Sequence, residues 1–478
     1  MRKPWQPRIF QPMGVQFILD NPRCALFASM GSGKCVMTLT ALDILRNVMG
    51  EETLPAIVFA PLRVARETWS DEASKWLHLQ DTEVVTIVGN ARERSAALGR
   101  KGTVFTCNYE NIPWLAAELA GEFPFGHVVP DESVFVKSLR IHTTKKNNIA
   151  GQGGSRAREL AKMAFAKSTR WTNLTGAPSP NGLKDLWGQQ WFLDAGERLG
   201  RSFTAFSNRW FRSVPGSDGY NQIEPMPFAQ AQIEAAIKDI CLTIDIRDYY
   251  PINEPVDIDV VIDLPTKAMK IYKDMEKKMF AVLASGAEKE AFSSGAKTMA
   301  CLQLASGACY LGEDDGKDTR AWEEVHDVKL QALSSIISEA AGAAMLIVYF
   351  FKSDLARLKK AFPKGRHFDK KDSTKKDFLD GRFTELFIHA QSGGHGVDGL
   401  QAVCHIIVFF SQDWNLDYYQ QVTERVGPAR QFQIGSKFNV MRYHIIARNT
   451  IDETVMERRK TKASVQECLL NAMKRRAA

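Results

Sequence analysis

Short apolar runs alternate with stretches of helical periodicity over residues 1–195 and again over residues 323–478. In the first part, a continuous apolar run at 56–61 ends at a proline, and a second run, 128–130, ends just before Asp131. The second part has four such runs, near 345–350, 385–389, 405–410 and 440–447. Apolar runs of this length, separated by helical stretches, are typical of parallel sheets covered by helices. The pattern predicts an α/β protein with parallel sheets in both parts.

The part between them has a different pattern. It begins with an aromatic-rich segment at 203–211 and a Gly/Ser turn at 215–217. Two alternating stretches follow, at 241–247 and 256–264, and a long helical stretch starts at Pro265. An acidic loop lies at 312–316. The acidic, Gly-containing loop 312–316 marks the far boundary of this part. A chain of 478 residues is long enough for about three domains. We therefore predict domains at 1–195, 196–322 and 323–478.

Composition agrees with a large protein that has well-filled cores, since 45% of the residues are hydrophobic. The longest apolar runs, 343–351 and 404–410, are far shorter than the roughly 18 residues that a membrane helix needs. The first five residues contain no apolar signal core. The eight cysteines form no C-x-x-C pair and no zinc-type cluster with histidine, so we expect reduced, structural thiols. These features predict a cytoplasmic protein without a membrane partner.

The net charge of +7 is mild for this length, so it permits a polyanionic partner without requiring one. Two local clusters are more basic than the average: Lys267, Lys270, Lys273, Lys277 and Lys278 on one predicted helix, and 458–460 with Lys462 near the C-terminus. Such clusters are usually solvated helix faces. Contact with phosphates is the alternative.

A glycine-rich turn carries the first candidate chemistry. It contains Gly31, Gly33 and Lys34, and the acidic pair Asp131-Glu132 follows Lys34 by 97 residues. Backbone N–H groups of such a turn can surround phosphates, with a helix N-terminus and a lysine charge adding attraction. Taken alone, the turn is equally compatible with a solvated lysine, and the acidic pair with an exposed turn. Seven ordered motifs decide between these interpretations: 8–15, 28–35, 56–61, 128–133, 174–178, 392–396 and 421–431.

Together these motifs resemble those of superfamily-two helicase-type ATPases (DEAD/DEAH-like), and most closely the Swi/Snf group as encoded by tailed bacteriophages. The resemblance extends from about residue 5 to residue 462. It implies two RecA-like lobes: an ATP-binding lobe at 1–195 and a second lobe at 323–478 with a basic terminal helix. A Swi/Snf-type helical insertion would occupy 196–322.

The resemblance also assigns roles around ATP and Mg²⁺. Lys34 would bind the β- and γ-phosphates, Asp131 would hold magnesium through water, and Glu132 would polarise the attacking water. Arg425 and Arg430 would stabilise the charge that develops on the γ-phosphate. The remaining nucleotide contacts would come from Gln11, which would read the adenine edge, and from the loop residues Met30, Gly31, Ser32, Gly33 and Cys35.

Contacts with the DNA backbone are implied for residues near the ends of predicted strands. They are Arg63, Asn108, Tyr109, Ser392, Gly393 and Gly394. Binding of this kind would be independent of sequence and sensitive to salt.

Three residues depart from the family pattern. Cys35 stands where Ser or Thr would ligate magnesium, and a thiol is a poor ligand for that ion, so its place among the metal ligands is doubtful. Pro130 lacks an N–H group for its strand, and is tolerable only at the strand's last residue. Ala177 replaces a more usual threonine.

The resulting hypothesis is a monomeric, ATP-dependent translocase on double-stranded DNA, acting in phage replication, recombination or remodelling. It would work in the bacterial host cytoplasm if the chain is phage-encoded. Two alternatives stay open: a strand-separating DNA or RNA helicase, and a catalytically degenerate protein that binds nucleotide and DNA.

Overall fold

The structure is a computed structural model. It describes residues 2–50, 55–143, 149–165, 168–215, 221–278, 280–282, 288–290, 294–311, 321–369, 372–393 and 399–474. The chain forms two compact units, one comprising Met1–Tyr250 with Lys462–Ala478 and the other comprising Pro251–Thr461.

The first unit is built on a sheet of seven parallel strands. In chain order they are β1 Arg23–Ala28, β2 Ala56–Ala60, β3 Val84–Ile87, β4 Val104–Asn108, β5 His127–Pro130, β6 Arg170–Thr175 and β7 Cys241–Ile244. Their spatial order is β7-β1-β6-β5-β2-β4-β3. The carboxyl ends of β1, β6 and β5 are therefore neighbours, and ligands of parallel sheets bind at this edge.

Helices and two hairpins complete the first unit. The helices are Gln11–Asp20, Lys34–Asn47, Trp69–Lys75, Ala91–Leu98, Ile112–Glu118, Ser155–Met163, Leu186–Asp194, Phe203–Trp210 and Ala229–Ile237. The hairpins pair Leu139–Thr143 with Ile149–Gly153 and Phe211–Pro215 with Asn221–Pro225. One π-helical turn, Val64–Thr68, precedes Trp69–Lys75. Near the C-terminus, Met473 accepts a hydrogen bond at its carbonyl from the Thr243 amide (3.0 Å), which explains why residues after 461 belong to this unit.

The second unit has a six-stranded sheet, also parallel. Its strands are β8 Val256–Ile262, β9 Ala344–Tyr349, β10 Arg366–His367, β11 Glu385–His389, β12 Cys404–Phe409 and β13 Met441–Ala447, in the order β8-β13-β12-β9-β11-β10. Its helices are Thr266–Lys278, Ser294–Ser306, Val328–Glu339, Lys352–Ala361, Asp372–Leu379, Ala390–Gly393, Leu416–Arg425, Pro428–Gln433 and Ile451–Ala472, the last of which continues into the first unit. Two short hairpins join Phe280–Val282 to Glu288–Glu290 and Ala308–Tyr310 to Trp322–Glu324.

The predicted fold class is confirmed: each unit is a RecA-like lobe with a parallel sheet and helices packed on it. The central strands are apolar because both faces are covered, and β2 and β4 are buried at every position. In the part of the chain that the structure describes, no helix is long and apolar enough to cross a membrane.

The boundary between the compact units lies at Tyr250 and Pro251, inside the region 196–322. The two alternating stretches predicted there are strands, but β7 joins the first sheet and β8 the second. Division into three domains at 195 and 322 stays a prediction. The Gly/Ser turn and the acidic loop predicted at 216–217 and 312–316 lie outside the described residues.

Candidate functional site

The phosphate-loop candidate connects the buried strand β1 to the helix Lys34–Asn47. Gly31 and Gly33 have φ angles of 75° and 86°, in the left-handed region that favours glycine. The loop therefore turns sharply and presents the first amides of the helix, which have no intrahelical partner. This is the backbone arrangement that binds phosphate groups.

Two side chains from the N-terminal motif hold the loop in place. The Arg8 guanidinium donates to the Gly31 carbonyl (2.8 Å), and the Gln11 amide nitrogen donates to the Ser32 carbonyl (2.9 Å). The Gln11 amide oxygen accepts from the Arg8 N–H (2.9 Å). A Cβ atom at Gly33 would lie 2.5 Å from the Gln11 amide nitrogen, so another residue there would displace this amide and would also strain the backbone. Gln11 thus supports the loop, and its reading of adenine stays a prediction.

The side chains of Lys34 and Ser32 suit the loop to bind an anion. The Lys34 ammonium group donates to the Ala28 carbonyl across the loop (2.9 Å). The Ser32 hydroxyl is fully buried and makes no hydrogen bond within the described residues. A buried orphan hydroxyl and a cation beside left-handed glycines suit phosphate oxygens.

The acidic pair lies at the carboxyl end of β5, next to β6. Pro130 is the last residue of β5, the one position that tolerates its missing N–H group. The backbone then turns at Glu132, which has a φ of 63°, a strained value for a residue with a side chain. The Thr175 hydroxyl donates to the Glu132 carboxylate (3.2 Å) and accepts from the Ala177 N–H (3.1 Å). The end of β6 therefore orients the carboxylate predicted to polarise water.

Tyr109 stabilises this turn from inside the lobe. Its side chain is fully buried, and its hydroxyl lies 3.0 Å from the Asp131 carbonyl and 3.3 Å from the Glu132 carbonyl. The ring stacks on Phe135 at a centroid distance of 4.9 Å. Asn108 is also buried, and its amide donates to the Glu110 carboxylate (2.8 Å). Both side chains are therefore engaged inside the lobe, and their contact with DNA stays a prediction.

Asp131 lies in a largely desolvated place beside Lys34. Desolvation, followed by the charge of Glu132, raises the pKa of its carboxyl to about 6. Lys34 and a hydrogen bond from the Trp69 indole N–H (3.0 Å) oppose these effects on the pKa. Sequence reasoning does not reveal this polar contact, since an indole in an apolar helix position shows no sign of its acceptor.

Cys35 does not fit the role of a magnesium ligand. Burial raises the pKa of its thiol well above the ordinary value, with further increases from the charges of Glu72 and Asp131. The group is therefore a neutral, soft thiol at physiological pH, whereas Mg²⁺ prefers hard oxygen ligands. Among the described residues, no group of three or more His, Cys, Asp or Glu side chains could hold a metal ion. The coordination of magnesium by Asp131 through water stays a prediction.

Replacing the thiol by a hydroxyl tests this conclusion. Cys35→Thr should lower the Mg²⁺ concentration needed for half-maximal ATP hydrolysis by roughly tenfold, because it adds an oxygen ligand. The measurement is a Mg²⁺ titration of hydrolysis, together with nucleotide binding with and without the ion. Cys35→Val is the matched control, since valine has the shape of threonine without its hydroxyl. Equal titration curves for both variants would show that the site has adapted to the absence of a ligand at position 35.

The two arginines of the second lobe lie on consecutive helices. Arg425 ends the helix Leu416–Arg425 and is 6% exposed, whereas Arg430 is half-buried in the helix Pro428–Gln433. Gly427 and Pro428 form the start of the second helix, and the Arg430 N–H bonds to the Gly427 carbonyl (3.0 Å). The proline thus occupies a first-turn position that suits it. The contact of either arginine with ATP stays a prediction.

Of the other predicted DNA contacts, Arg63, Ser392 and Gly393 lie within the described residues. Arg63 follows β2 at the carboxyl edge of the first sheet, is partly exposed, and pairs with Glu67 (3.1 Å). Ser392 and Gly393 end the helix Ala390–Gly393, and Gly394 lies outside the described residues.

Taken together, the two RecA-like lobes, the phosphate loop and the acidic turn beside it define a helicase-type, phosphate-loop protein. Residues 11–309 match the family model described as the SNF2-related domain. The chain is also 46% identical over 477 residues to a protein named p41 from Acyrthosiphon pisum secondary endosymbiont phage 1, covering 99% of this chain and 100% of that protein. The chain belongs to the SNF2-related family.

More distant relatives are larger proteins. The ISWI chromatin-remodeling complex ATPase ISW1 of Saccharomyces cerevisiae is 21% identical over 505 residues, which span 97% of this chain and 40% of that protein. The solved SWI2/SNF2 ATPase core of Sulfolobus solfataricus in complex with dsDNA aligns over 98% of this chain and 94% of that one, with 17% identity and a TM-score of 0.43. The chain therefore spans all of p41 but less than half of ISW1.

Proposed function

We propose that this protein is an ATP-driven motor that tracks along double-stranded DNA. One observation carries the proposal: a single lobe brings together a phosphate loop with Lys34 and an acidic turn whose Glu132 carboxylate is oriented by Thr175. A protein that only stored or sensed nucleotide would not need an oriented carboxylate beside the phosphates. Membership of the SNF2-related family supports the same reaction class.

In the proposed reaction, the loop amides and Lys34 bind the phosphates of ATP. Glu132 accepts a hydrogen bond from the attacking water and so raises its nucleophilicity, while Thr175 keeps the carboxylate in place. Bound magnesium, held through water by Asp131, would neutralise charge on the phosphate oxygens. Arg425 and Arg430 would add positive charge from the second lobe as the γ-phosphate leaves.

Duplex DNA is the proposed track. Lys267, Lys270 and Lys277 are exposed on the helix Thr266–Lys278, and Arg458 and Lys460 are exposed on the last helix. Arg459, between them, is buried and donates to the Gln412 side chain (2.9 Å). The exposed positive charge of the cluster at 458–460 is therefore smaller than its sequence indicates. The relative ISW1 is named as an ATPase of a chromatin-remodeling complex, and chromatin contains duplex DNA. The likeness to p41 supports action in the cytoplasm of a bacterial host.

The test is ATP hydrolysis measured without nucleic acid and with duplex DNA, single-stranded DNA or RNA, at low and moderate salt. We expect the greatest stimulation with duplex DNA and a decline with salt, because contacts to phosphates release counterions. Displacement of a third strand from a triplex then detects movement, and a forked duplex detects unwinding. Stimulation by RNA alone, or unwinding of the fork, would favour a strand-separating helicase instead.

One observation favours a second candidate, a nucleotide- and DNA-binding protein without turnover. It is the neutral thiol of Cys35 in the place of a magnesium ligand. The same assay distinguishes the two, since this candidate predicts no hydrolysis above that of a Lys34→Ala blank under any condition.

A further inference from the structure

Trp69 is a buried tryptophan whose polar atom is directed at the acidic turn. Its side chain has no exposed surface, and its indole N–H donates to Oδ2 of Asp131 at 3.0 Å. Asp131 itself is fixed at its backbone, where its N–H donates to the Phe59 carbonyl (2.7 Å). The indole therefore holds Oδ2 of the carboxylate, and the Glu132 backbone N–H also hydrogen bonds to the same carboxylate.

Other tryptophans of this lobe use their N–H groups differently. Trp187 donates to the Gly200 carbonyl (2.8 Å), and Trp210 donates to the Gln232 amide (3.1 Å). Trp76 does donate to a carboxylate, but to that of Glu72 (2.8 Å), which is not part of the acidic pair. Trp69 is thus distinguished by its acceptor, a residue of the candidate catalytic turn. A hydrogen bond to a carboxylate is roughly twice as strong as one between neutral groups.

The backbone before Trp69 has an unusual form. The π-helical turn Val64–Thr68 leads directly into the helix that Trp69 begins. The buried Thr106 hydroxyl donates to the Ala65 carbonyl in this turn (2.6 Å), which ties it to β4. Single π turns inside helices are rare and are frequent at functional sites. The direction of the indole is therefore set by β4 and by the π turn.

The hydrogen bond between Trp69 and Asp131 matters because of the residue at position 35. Phosphate-loop NTPases hold magnesium with a Ser or Thr hydroxyl of the loop together with the acidic residue. Here the residue is Cys35, whose soft sulfur is a poor ligand for Mg²⁺, so the carboxylate of Asp131 must be oriented without that partner.

We propose that Trp69 is a positioning residue that fixes the rotation of the Asp131 carboxylate and thereby compensates for the missing hydroxyl at position 35. This inference rests on the proposed function, since it concerns the same nucleotide site. The indole N–H is a rigid donor with a single direction, so it can fix the orientation in which the carboxylate would hold a hydrated cation.

The direct experiment is a cycle of substitutions at positions 69 and 35. Trp69→Phe keeps an aromatic ring but removes the N–H donor, so it should lower kcat by about 10- to 100-fold and raise the Mg²⁺ requirement, while KM for ATP changes little. In a Cys35→Thr background the same substitution should cost at least threefold less, because the hydroxyl supplies a second anchor for the ion. A merely structural tryptophan would cost the same in both backgrounds.

Trp187→Phe is the matched control, because Trp187 is equally buried and its N–H bonds to a backbone carbonyl. It should leave the Mg²⁺ requirement unchanged. Thermal unfolding of all variants shows whether any loss of kcat follows loss of folded protein. Equal losses from Trp69→Phe in the wild-type and Cys35→Thr backgrounds would overturn the proposal.

A second readout needs neither nucleotide nor magnesium and holds even if Trp69→Phe folds poorly. The chain has ten tryptophans, whose ¹⁵N-labelled indole N–H groups give separate NMR signals. Asp131→Ala should shift one of these signals upfield and speed its exchange with D₂O, and Glu118→Ala should not. No shift upon Asp131→Ala would contradict the inferred contact. Absence of ATP hydrolysis in the wild-type protein would instead refute the proposed function and leave this contact standing.

Discussion

Lys34→Ala is expected to reduce ATP hydrolysis to background under every condition. The Lys34 ammonium group crosses the loop to the Ala28 carbonyl (2.9 Å), which places its charge where the β- and γ-phosphates would bind. Loss of one well-placed charged donor costs about 10²- to 10³-fold in the chemical step. It also removes a charge-assisted hydrogen bond to ATP of about 1.5–3 kcal/mol, so nucleotide affinity should fall as well. Steady-state hydrolysis and equilibrium binding of ATP measure the two losses.

Lys162→Ala is the control for this prediction. Lys162 lies on the same lobe, is exposed, and pairs only with Glu159 among the contacts described (2.7 Å). The Lys162→Ala variant should hydrolyse ATP at the wild-type rate, since an exposed ion pair contributes little to stability. The unfolding temperature of Lys34→Ala should also stay near that of the wild type, because its bond to Ala28 is partly solvated. Hydrolysis by Lys34→Ala near the wild-type rate would mean that the glycine turn is not the phosphate site.

The strands were the most predictable part of the fold. Apolar runs at 56–61, 385–389 and 405–410 correspond to β2, β11 and β12 within a residue or two. Such strands are covered on both faces, and the need to bury them leaves a continuous apolar run in the sequence. The assignment of β7 and β8 to different sheets was not predictable, because pairing between distant strands leaves no local pattern.

Sequence reasoning could predict the parts of the candidate site in which the chemistry requires a particular residue type. It could not predict the hydrogen bonds between residues that lie far apart in the sequence. Left-handed glycines and a lysine identify the phosphate loop, since few other residues adopt that backbone. The family resemblance placed Tyr109 among the DNA contacts and gave no sign that its hydroxyl bonds to the acidic turn. Nothing local to Tyr109 or Trp69 distinguishes a ring that faces solvent from one whose polar atom reaches a residue 22 or 62 positions away. Such contacts arise from the tertiary fold.

The contacts around Glu132 indicate why its conformation is kept. A φ of 63° is strained for glutamate, and residues held in sparsely populated regions cost of order 1–3 kcal/mol. Tyr109 and Thr175 supply hydrogen bonds that compensate, one to the backbone and one to the carboxylate. A glycine would relieve the strain but would lack the carboxylate. The position therefore keeps a carboxylate at a cost in backbone strain.

Glu132→Gln should abolish turnover while keeping ATP bound. Glutamine has the shape of glutamate, and its side-chain oxygen can still accept the hydrogen bond from Thr175, so the turn should stay intact. The neutral amide cannot take a proton from water, and loss of a general base costs about 10²- to 10⁴-fold. The measurements are single-turnover hydrolysis, together with ATP binding by equilibrium dialysis.

The matched control for Glu132→Gln is Glu118→Gln, since Glu118 also accepts a hydroxyl hydrogen bond, from Ser95 (2.6 Å), but on an exposed part of the same lobe. It should turn over ATP normally. If Glu132→Gln hydrolyses ATP at the wild-type rate, the water-polarising role belongs to another residue. If it loses ATP binding as Lys34→Ala does, Glu132 contributes to holding the nucleotide and not to the chemical step. The expected combination, tight binding without hydrolysis, would trap the protein in its ATP-bound state and allow DNA affinity to be measured in that state alone.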